Sequence, residues 1–327
     1  MEEAQANVRR RSGSHPQLAL ELWEHPEARE MYLLAGWRQW ADAGSVSSGL
    51  PRYLVKLTQA HAIGVIQPEG FYLFQLPGTH GLLRPVVEFN QGVPERLETP
   101  RNELYFSGDD QRGLVILIGD EPHLDVERYV ASILHLARTL KVRRIIGLGG
   151  VYGELPYHME RPVHAIVSHP RLRAEVERLG VGLSDYHGGA SIGSYLCRRA
   201  SEQSLEYVGF YAFVPSYDFS SEAGMTGVVR IENDFTAWLG TARRIRYMLG
   251  FNWDLSELEI RSRQLMQAMD EKIEEIEQNA PHLGVREYLR RLAESFEEQS
   301  FNPADDFWEE KLRGLFDKLD DETDEKE

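Results

Sequence analysis

Three carboxylates and one serine are the side chains of this chain best placed to do chemistry. Asp42, Asp120 and Glu121 each follow a short apolar run. If those runs are strands of one sheet, the carboxylates converge on one edge, where a pair can coordinate Mg²⁺ or exchange protons with a substrate. The same residues can instead cap helices: Asp42 the helix after the first strand, Asp120 and Glu121 the helix starting near Asp125. Ser191 sits in Gly189-Ala-Ser191-Ile-Gly193, which has the G-x-S-x-G spacing of a nucleophile elbow. That elbow needs an acid and then a histidine later in the chain. The one histidine after Ser191 is His282, in a charged helical region, and His187 precedes the serine. The segment therefore reads as a helix N-terminus whose glycines permit a sharp turn.

Gly147-Leu-Gly149-Gly150-Val-Tyr152 follows a strand, as a dinucleotide loop would. Tyr152 stands where the third glycine is needed for close helix packing, and Glu154-Leu-Pro156 interrupts a helix start. His158, His164 and His169 have no metal-site spacing. With one cysteine, Cys197, and no H-E-x-x-H, no metal and no cofactor is expected.

The elements that must position these residues follow from the apolar patterning. Gly113 to Gly119 and Val142 to Gly150 are solid apolar runs bracketing one amphipathic helix, Asp125 to Leu140. A strand covered on both faces loses its alternation, so these runs predict a parallel sheet between helical layers. Ligands bind such sheets beyond the carboxyl ends of the strands. Further strands are predicted at Met31–Gly36, 61–67, 71–75, 85–89, 103–107, 163–167 and 207–214. The close spacing of those from 61 to 107 predicts a mixed sheet. Helices are predicted from Ser45 to about Gln59, from Pro170 to Leu179, from Gly193 to about Glu202, and from Phe235 to Leu249.

Composition changes at Asn252. Asp254 with Glu257 has the spacing of a capping box, followed by a helix ending before Pro281. A second helix carries Val285, Tyr288, Leu289, Leu292 and Phe296, and Asn302-Pro303 caps a third to Leu319. Such stripes must pack on something. The expected division is a flexible arm over 1–28, a core over 29–252, a helical segment over 253–319 and a disordered acidic tail over 320–327. Deleting 254–327 is expected to leave the core folded.

The net charge of −16 argues against nucleic acid as a partner. From Asp305 on, eleven Asp/Glu face four Lys/Arg. No apolar run approaches the roughly 18 residues of a membrane span, and no secretory leader is visible. With the single cysteine, this predicts a cytoplasmic protein and no membrane partner.

Several short motifs occur in an order that resembles the proteasome assembly chaperone 2 family. They are Gly36-Trp37 with Ala41-Asp42-Ala43-Gly44, Gly119-Asp120-Glu121-Pro122, Leu148-Gly149-Gly150, Tyr186-His187-Gly188-Gly189 with Ile192-Gly193, and Val214-Pro215-Ser216-Tyr217. Asp254-Leu-Ser-Glu-Leu258-Glu resembles the C-terminal segment of its bacterial branch, and the likeness runs from about Met31 to Asn279. It departs at Arg38-Gln39-Trp40, which is inserted, at Ser216, where the family often has His, and at Ala190-Ser191, where it often has Pro-Thr.

The resemblance implies a three-layer α/β/α sandwich with a phosphorylase- or hydrolase-like mixed sheet, here with a C-terminal helical appendage. It implies a non-enzymatic protein acting through protein partners, a possible protein client, and a homo-oligomer, with a trimer favoured. The alternative is an enzyme or small-ligand binder with a pocket at the strand ends. The candidate pocket residues are Trp37, Asp42, Gly44, Asp120, Glu121, Gly149, Gly150, Tyr186, Gly189, Ser191 and Tyr217. The helix N-termini after Gly44 and Gly193 could hold an anion, but their loops carry no basic residue except Arg38, so phosphate neutralisation from them is expected to be poor.

Overall fold

The structure, a computed structural model, describes residues 18–75, 84–218 and 228–296. In chain order the strands are β1 (Leu20–Leu22), β2 (Glu30–Arg38), β3 (His61–Ile66), β4 (Val86–Asn90), β5 (Val93–Glu98) and β6 (Asn102–Gly108). They continue with β7 (Arg112–Asp120), β8 (Val142–Gly153), β9 (Val163–Val167), β10 (Gly182–Leu183), β11 (Glu206–Asp218) and β12 (Val228–Arg230). The helices are α1 (Gly49–Leu57), α2 (Val126–Thr139), α3 (Arg173–Glu177), α4 (Ile192–Glu202), α5 (Phe235–Leu249), α6 (Ser256–Asn279) and α7 (Val285–Glu294).

Four apolar strands, β7-β2-β8-β11, pair in parallel at the centre of a ten-stranded mixed sheet. On one flank β6, β3 and β1 add antiparallel. On the other flank β9 runs antiparallel to β11, and β10 parallel to β9. β12 pairs antiparallel with the end of β11, and β4 and β5 form a separate ribbon. Alternation along β2 divides the core into two layers. Tyr32 and Leu34 join a cluster with Leu50 and Leu54 of α1, Ile245 of α5, and Leu258 and Ile273 of α6. Met31, Leu33, Ala35 and Trp37 join another with Tyr129 and Ile133 of α2 and Ile192 and Leu196 of α4. Both faces are covered, which is why the central strands read as solid apolar runs, and the result is a three-layer α/β/α sandwich.

The helices after residue 252 share the first cluster. Leu258, Met269, Ile273, Val285 and Leu289 are buried in it with Trp238 and Leu249 of α5. At the start of α6 the Asp254 carboxylate accepts from Ser256 N at 3.0 Å, but Glu257 pairs with Arg261 and closes no capping box.

Four local expectations are corrected. Residues 71–75 form no strand: Phe71 is buried in the second cluster and its carbonyl accepts from His123 N and Leu124 N, so it plugs the loop after β7. Residues 20–22, expected in a flexible arm, form β1 because Leu20 and Leu22 pair with the edge of β3 and pack on the second cluster. The segment from Pro170 opens as a 3₁₀ turn and continues only as the short α3. β5, unexpected beside Pro94, pairs with β4 through a turn at Gln91 and Gly92, both with positive φ. The expected helix over 303–319, the acidic tail and the arm up to residue 17 lie outside the described residues. Among the described residues no helix is long and apolar enough to cross a membrane.

Candidate functional site

The carboxyl ends of β2, β7 and β8 meet the loop Gln39–Ser48. Asp42 forms a parallel bridge with Gly150, and Gly150 N donates to Ala41 O at 2.8 Å. A Cβ on Gly150 would lie 2.1 Å from the Ala43 carbonyl oxygen, so only glycine allows the loop to seat on the strand. Gly149 beside it packs against the Tyr211 ring. Gly44 has φ of 60°, and its carbonyl accepts from Trp238 Nε1 and Asp234 N, which ties the loop to α5.

Each of the three carboxylates is engaged by hydrogen bonds that brace this end of the sheet. Asp42 accepts from Ser47 N at 2.9 Å and Ser48 N at 2.8 Å, just before α1. Asp120 is buried, takes a two-pronged contact from Arg38 (Nε 2.5 Å, Nη2 3.0 Å), and accepts from Arg101 N. Glu121 accepts from Trp40 N at 3.2 Å and from Ile192 N, the first residue of α4, at 2.7 Å. Glu121 therefore caps a helix, α4 rather than the expected α2, because the sheet brings α4 beside the end of β7. Asp42 braces the two residues before α1 and does not cap the helix itself, whose N-cap is Ser48. Asp120 caps nothing and orients Arg38. Burial pushes the Glu121 carboxyl up.

Burial also pushes Asp42 up to about 6, against the two N–H donors. A carboxyl whose folded-state pKa is raised binds more protons folded than unfolded, so stability falls as pH rises from about 4 to about 6. Asp42→Asn keeps an acceptor for Ser47 and Ser48 and removes the titration. It is expected to flatten this slope and to gain on the order of 1–2 kcal/mol at pH 7. Denaturant midpoints at pH 4, 5, 6 and 7 check this; an unchanged slope rejects it.

Ser191 is the N-cap of α4. Its Oγ accepts from Ser194 N at 3.2 Å and lies 3.1 Å from the Tyr211 hydroxyl. The G-x-S-x-G spacing is used here as the cap of α4. Trp37 is buried, with Nε1 donating to Tyr129 Oη at 2.9 Å; Tyr129 donates to Asn102 Oδ1, and the single Tyr72 hydroxyl hydrogen is shared between Asn102 Oδ1 and Asp120 O, each 2.8 Å away. This network holds the ends of β2, β6 and β7 together. Tyr217 is buried in the first cluster, donates to Leu155 O at 2.6 Å and packs edge-on against Tyr288 of α7. It stands at the carboxyl end of β11, against the loop that follows β8, and lines neither concavity of this end of the sheet.

Two concavities result. The first, about 330 Å³, is aromatic: Tyr186, Gly189 and Ser191 line it with Trp40, Tyr152, Tyr211 and Phe213. Trp40 and Tyr186 are each 70% exposed on its rim. The sequence reading missed Trp40, Tyr211 and Phe213. The signal for the last two was there: Tyr207, Tyr211 and Phe213 share one parity of β11, opposite to Val208, Phe210, Ala212 and Val214. The second, about 300 Å³, is lined by Asp120 with Arg38, Arg52, Arg96 and Arg101. Thus the expected residues gather at one end of the sheet, yet Asp120 serves one concavity while Tyr186, Gly189 and Ser191 serve the other. Trp37, Asp42, Gly44, Glu121, Gly149 and Gly150 line neither and form the support. Among the described residues no group of three or more His, Cys, Asp or Glu is placed to hold a metal ion.

A family model described as the PAC2 family matches residues 37–273, which includes every element of this end of the sheet. The chain belongs to the PAC2 family. No curated protein matches it in sequence. Solved structures share the fold. A proteasome-assembly chaperone homologue from Mycobacterium tuberculosis is 22% identical, with a TM-score of 0.64 over 74% of this chain and 94% of that one. A PAC2 family protein from Streptomyces avermitilis is also 22% identical, with a TM-score of 0.62 over 74% and 95%. An archaeal proteasome activator from Pyrococcus furiosus is 18% identical, with a TM-score of 0.55 over 77% and 97%. At these identities the likeness establishes the fold. The PAC2 match ends at Ile273 inside α6, so the family's sequence pattern extends past residue 252 into the C-terminal helices.

Proposed function

We propose that this PAC2 protein acts without catalysis, as a chaperone-like cytoplasmic protein that docks a protein client in its aromatic cleft. The observation that carries the reading is the division of labour at the strand ends. The groups that could do chemistry, Asp42, Glu121 and Ser191, are spent on backbone N–H donors of the loop and of α4. What this bracing presents to solvent is Trp40 and Tyr186. Exposed aromatic rings around a concave floor suit an apolar side chain of a partner, because large rigid rings bury much area at little conformational cost. Relatives of the same fold are a proteasome-assembly chaperone homologue and a proteasome activator, which points to proteasome subunits as the first client to test. Self-association belongs to the same reading. It is supported by the β4–β5 ribbon, which exposes Val86, Val87, Phe89, Val93 and Leu97 and is marginal without a covering surface.

The test measures binding of purified proteasome subunits by biolayer interferometry. The wild-type chain is expected to bind, and the Trp40→Ala/Tyr186→Ala double variant to bind at least tenfold more weakly with an unchanged melting temperature, since both rings are exposed. Equal binding by the double variant, or none by the wild type, overturns the proposal.

A further inference from the structure

The second concavity does not depend on the aromatic cleft or on any client, and it has the construction of an anion site. β2 and β7 are adjacent and parallel, with Arg38 opposite Asp120 at their carboxyl ends. From β2 the chain passes to α1, which packs in the first cluster; from β7 it passes to α2, which packs in the second. The chain thus leaves two neighbouring strands toward opposite faces. An open α/β sheet forms a ligand crevice where its connections diverge in this way.

Four arginines from four elements line this crevice. Arg38 ends β2, Arg52 lies on α1, Arg96 on β5, and Arg101 just before β6. Three carboxylates share the crevice and act as props. Asp120 holds Arg38 in a fixed two-pronged pose, Glu98 lies 2.6 Å from Arg96, and Glu103 lies 3.5 Å from Arg101. Arg52 donates to Ser48 O at 3.2 Å, and among the described residues no carboxylate lies in ion-pair range of it. Glu88 lies 3.9 Å from Arg96 as well, so carboxylates match the four arginines in number. Two of them stand near Arg96 and none in ion-pair range of Arg52, which leaves Arg52 the arginine of the crevice open to an anion. The basic residues missing from the loops after Gly44 and Gly193 are supplied here from positions far apart in sequence.

We infer that this crevice binds a small phosphate-bearing molecule, its phosphoryl oxygens taken by Arg38, Arg52 and Arg96. Forked donors arriving from several directions suit a tetrahedral dianion, whereas a planar carboxylate is satisfied by one fork. A volume of about 300 Å³ holds a small ligand.

Isothermal titration with pyrophosphate, inorganic phosphate and citrate, at matched ionic strength, tests this on the full chain. Saturable binding of pyrophosphate is expected, with citrate at least tenfold weaker. Arg52→Gln and Arg96→Gln should each weaken pyrophosphate about tenfold, the loss of one charge-assisted pair. Glu98→Gln, which frees Arg96 from its prop, should strengthen it. Arg261→Gln, whose partner is Glu257 on the surface of α6, should change nothing. The opposite signs at Arg96 and Glu98 separate lost binding from lost folding, and both side chains are solvent-exposed or nearly so. Absence of binding by either phosphate probe, citrate binding as tightly as pyrophosphate, or affinity indifferent to Arg52, Arg96 and Glu98 would each overturn the assignment.

Discussion

Asp234→Ala is expected to destabilise the protein by about 3–5 kcal/mol, the scale on which one member of a buried ion pair is lost. Asp234 and Arg161 are both fully buried, with Arg161 Nε 2.7 Å from Asp234 Oδ2. The other carboxylate oxygen caps α5, accepting from Thr236 N at 3.1 Å and Ala237 N at 3.0 Å. Alanine removes the cap and leaves the arginine charge without its counter-ion. The remaining acceptors around Arg161, the carbonyls of Tyr157 and Met159, are neutral. Against a total stability of roughly 5–15 kcal/mol this is a large fraction. The effect should reach the strand-end loop, because Asp234 N and Trp238 Nε1 both donate to Gly44 O. Urea denaturation measures it, and a loss below about 1 kcal/mol contradicts it. Adding Arg161→Met to Asp234→Ala should recover part of the loss, since no uncompensated charge then stays buried.

What could be read in advance follows from how local each signal is. The runs at 113–119 and 142–150 reveal buried parallel strands because covering both faces erases alternation, a property of the strand's own residues. Phe235–Leu249 is delimited by Asp234 at its start and Gly250, with φ of 69°, at its end, both local devices. Phe71–Gln75 misled because alternation reports burial on one side and not a ladder partner. Phe71 is buried as a plug; its N–H donates to Pro68 O and its carbonyl accepts from His123 N and Leu124 N, so neither group joins a ladder.

The site was legible to the same degree. Asp42 follows β2 and Gly150 lies near the carboxyl end of β8, and adjacent parallel strands end side by side, so their meeting is a matter of topology. That Glu121 would cap α4 requires knowing that α4 and α2 share a face, which no local pattern states. The arginine crevice was the least legible part. Arg38, Arg52, Arg96 and Arg101 follow one another at intervals of 14, 44 and 5 residues and come from a strand, a helix, a ribbon and a loop. Their proximity exists only once β6, β7 and β2 are in register. The same holds for Trp40, whose main-chain N–H is held by Glu121 from across the sheet end.

Deletion of residues 254–327 is expected to abolish stable folding. The composition shift near residue 252 suggests an appendage, but the packing runs across it. Leu258, Met269, Ile273, Val285 and Leu289 are buried in the cluster that also holds Leu34 of the central strand and Ile245 of α5. Thr236 on α5 and Ser262 on α6 hydrogen-bond at 2.9 Å in a buried position, so removing α6 strands a polar group as well. Five apolar side chains at about 1.5–3 kcal/mol each amount to the order of the whole stability of a domain. On α5, Thr236 and Arg243 would lose their partners Ser262 and Glu259. Circular dichroism melts and size exclusion compare the chain ending at residue 253 with one ending at residue 296. The longer chain should unfold cooperatively, and the shorter should aggregate or melt without a sharp transition. A cooperative melt of the shorter chain within a few degrees of the longer would show that α6 and α7 are dispensable to the core, and would return them to a role in assembly alone.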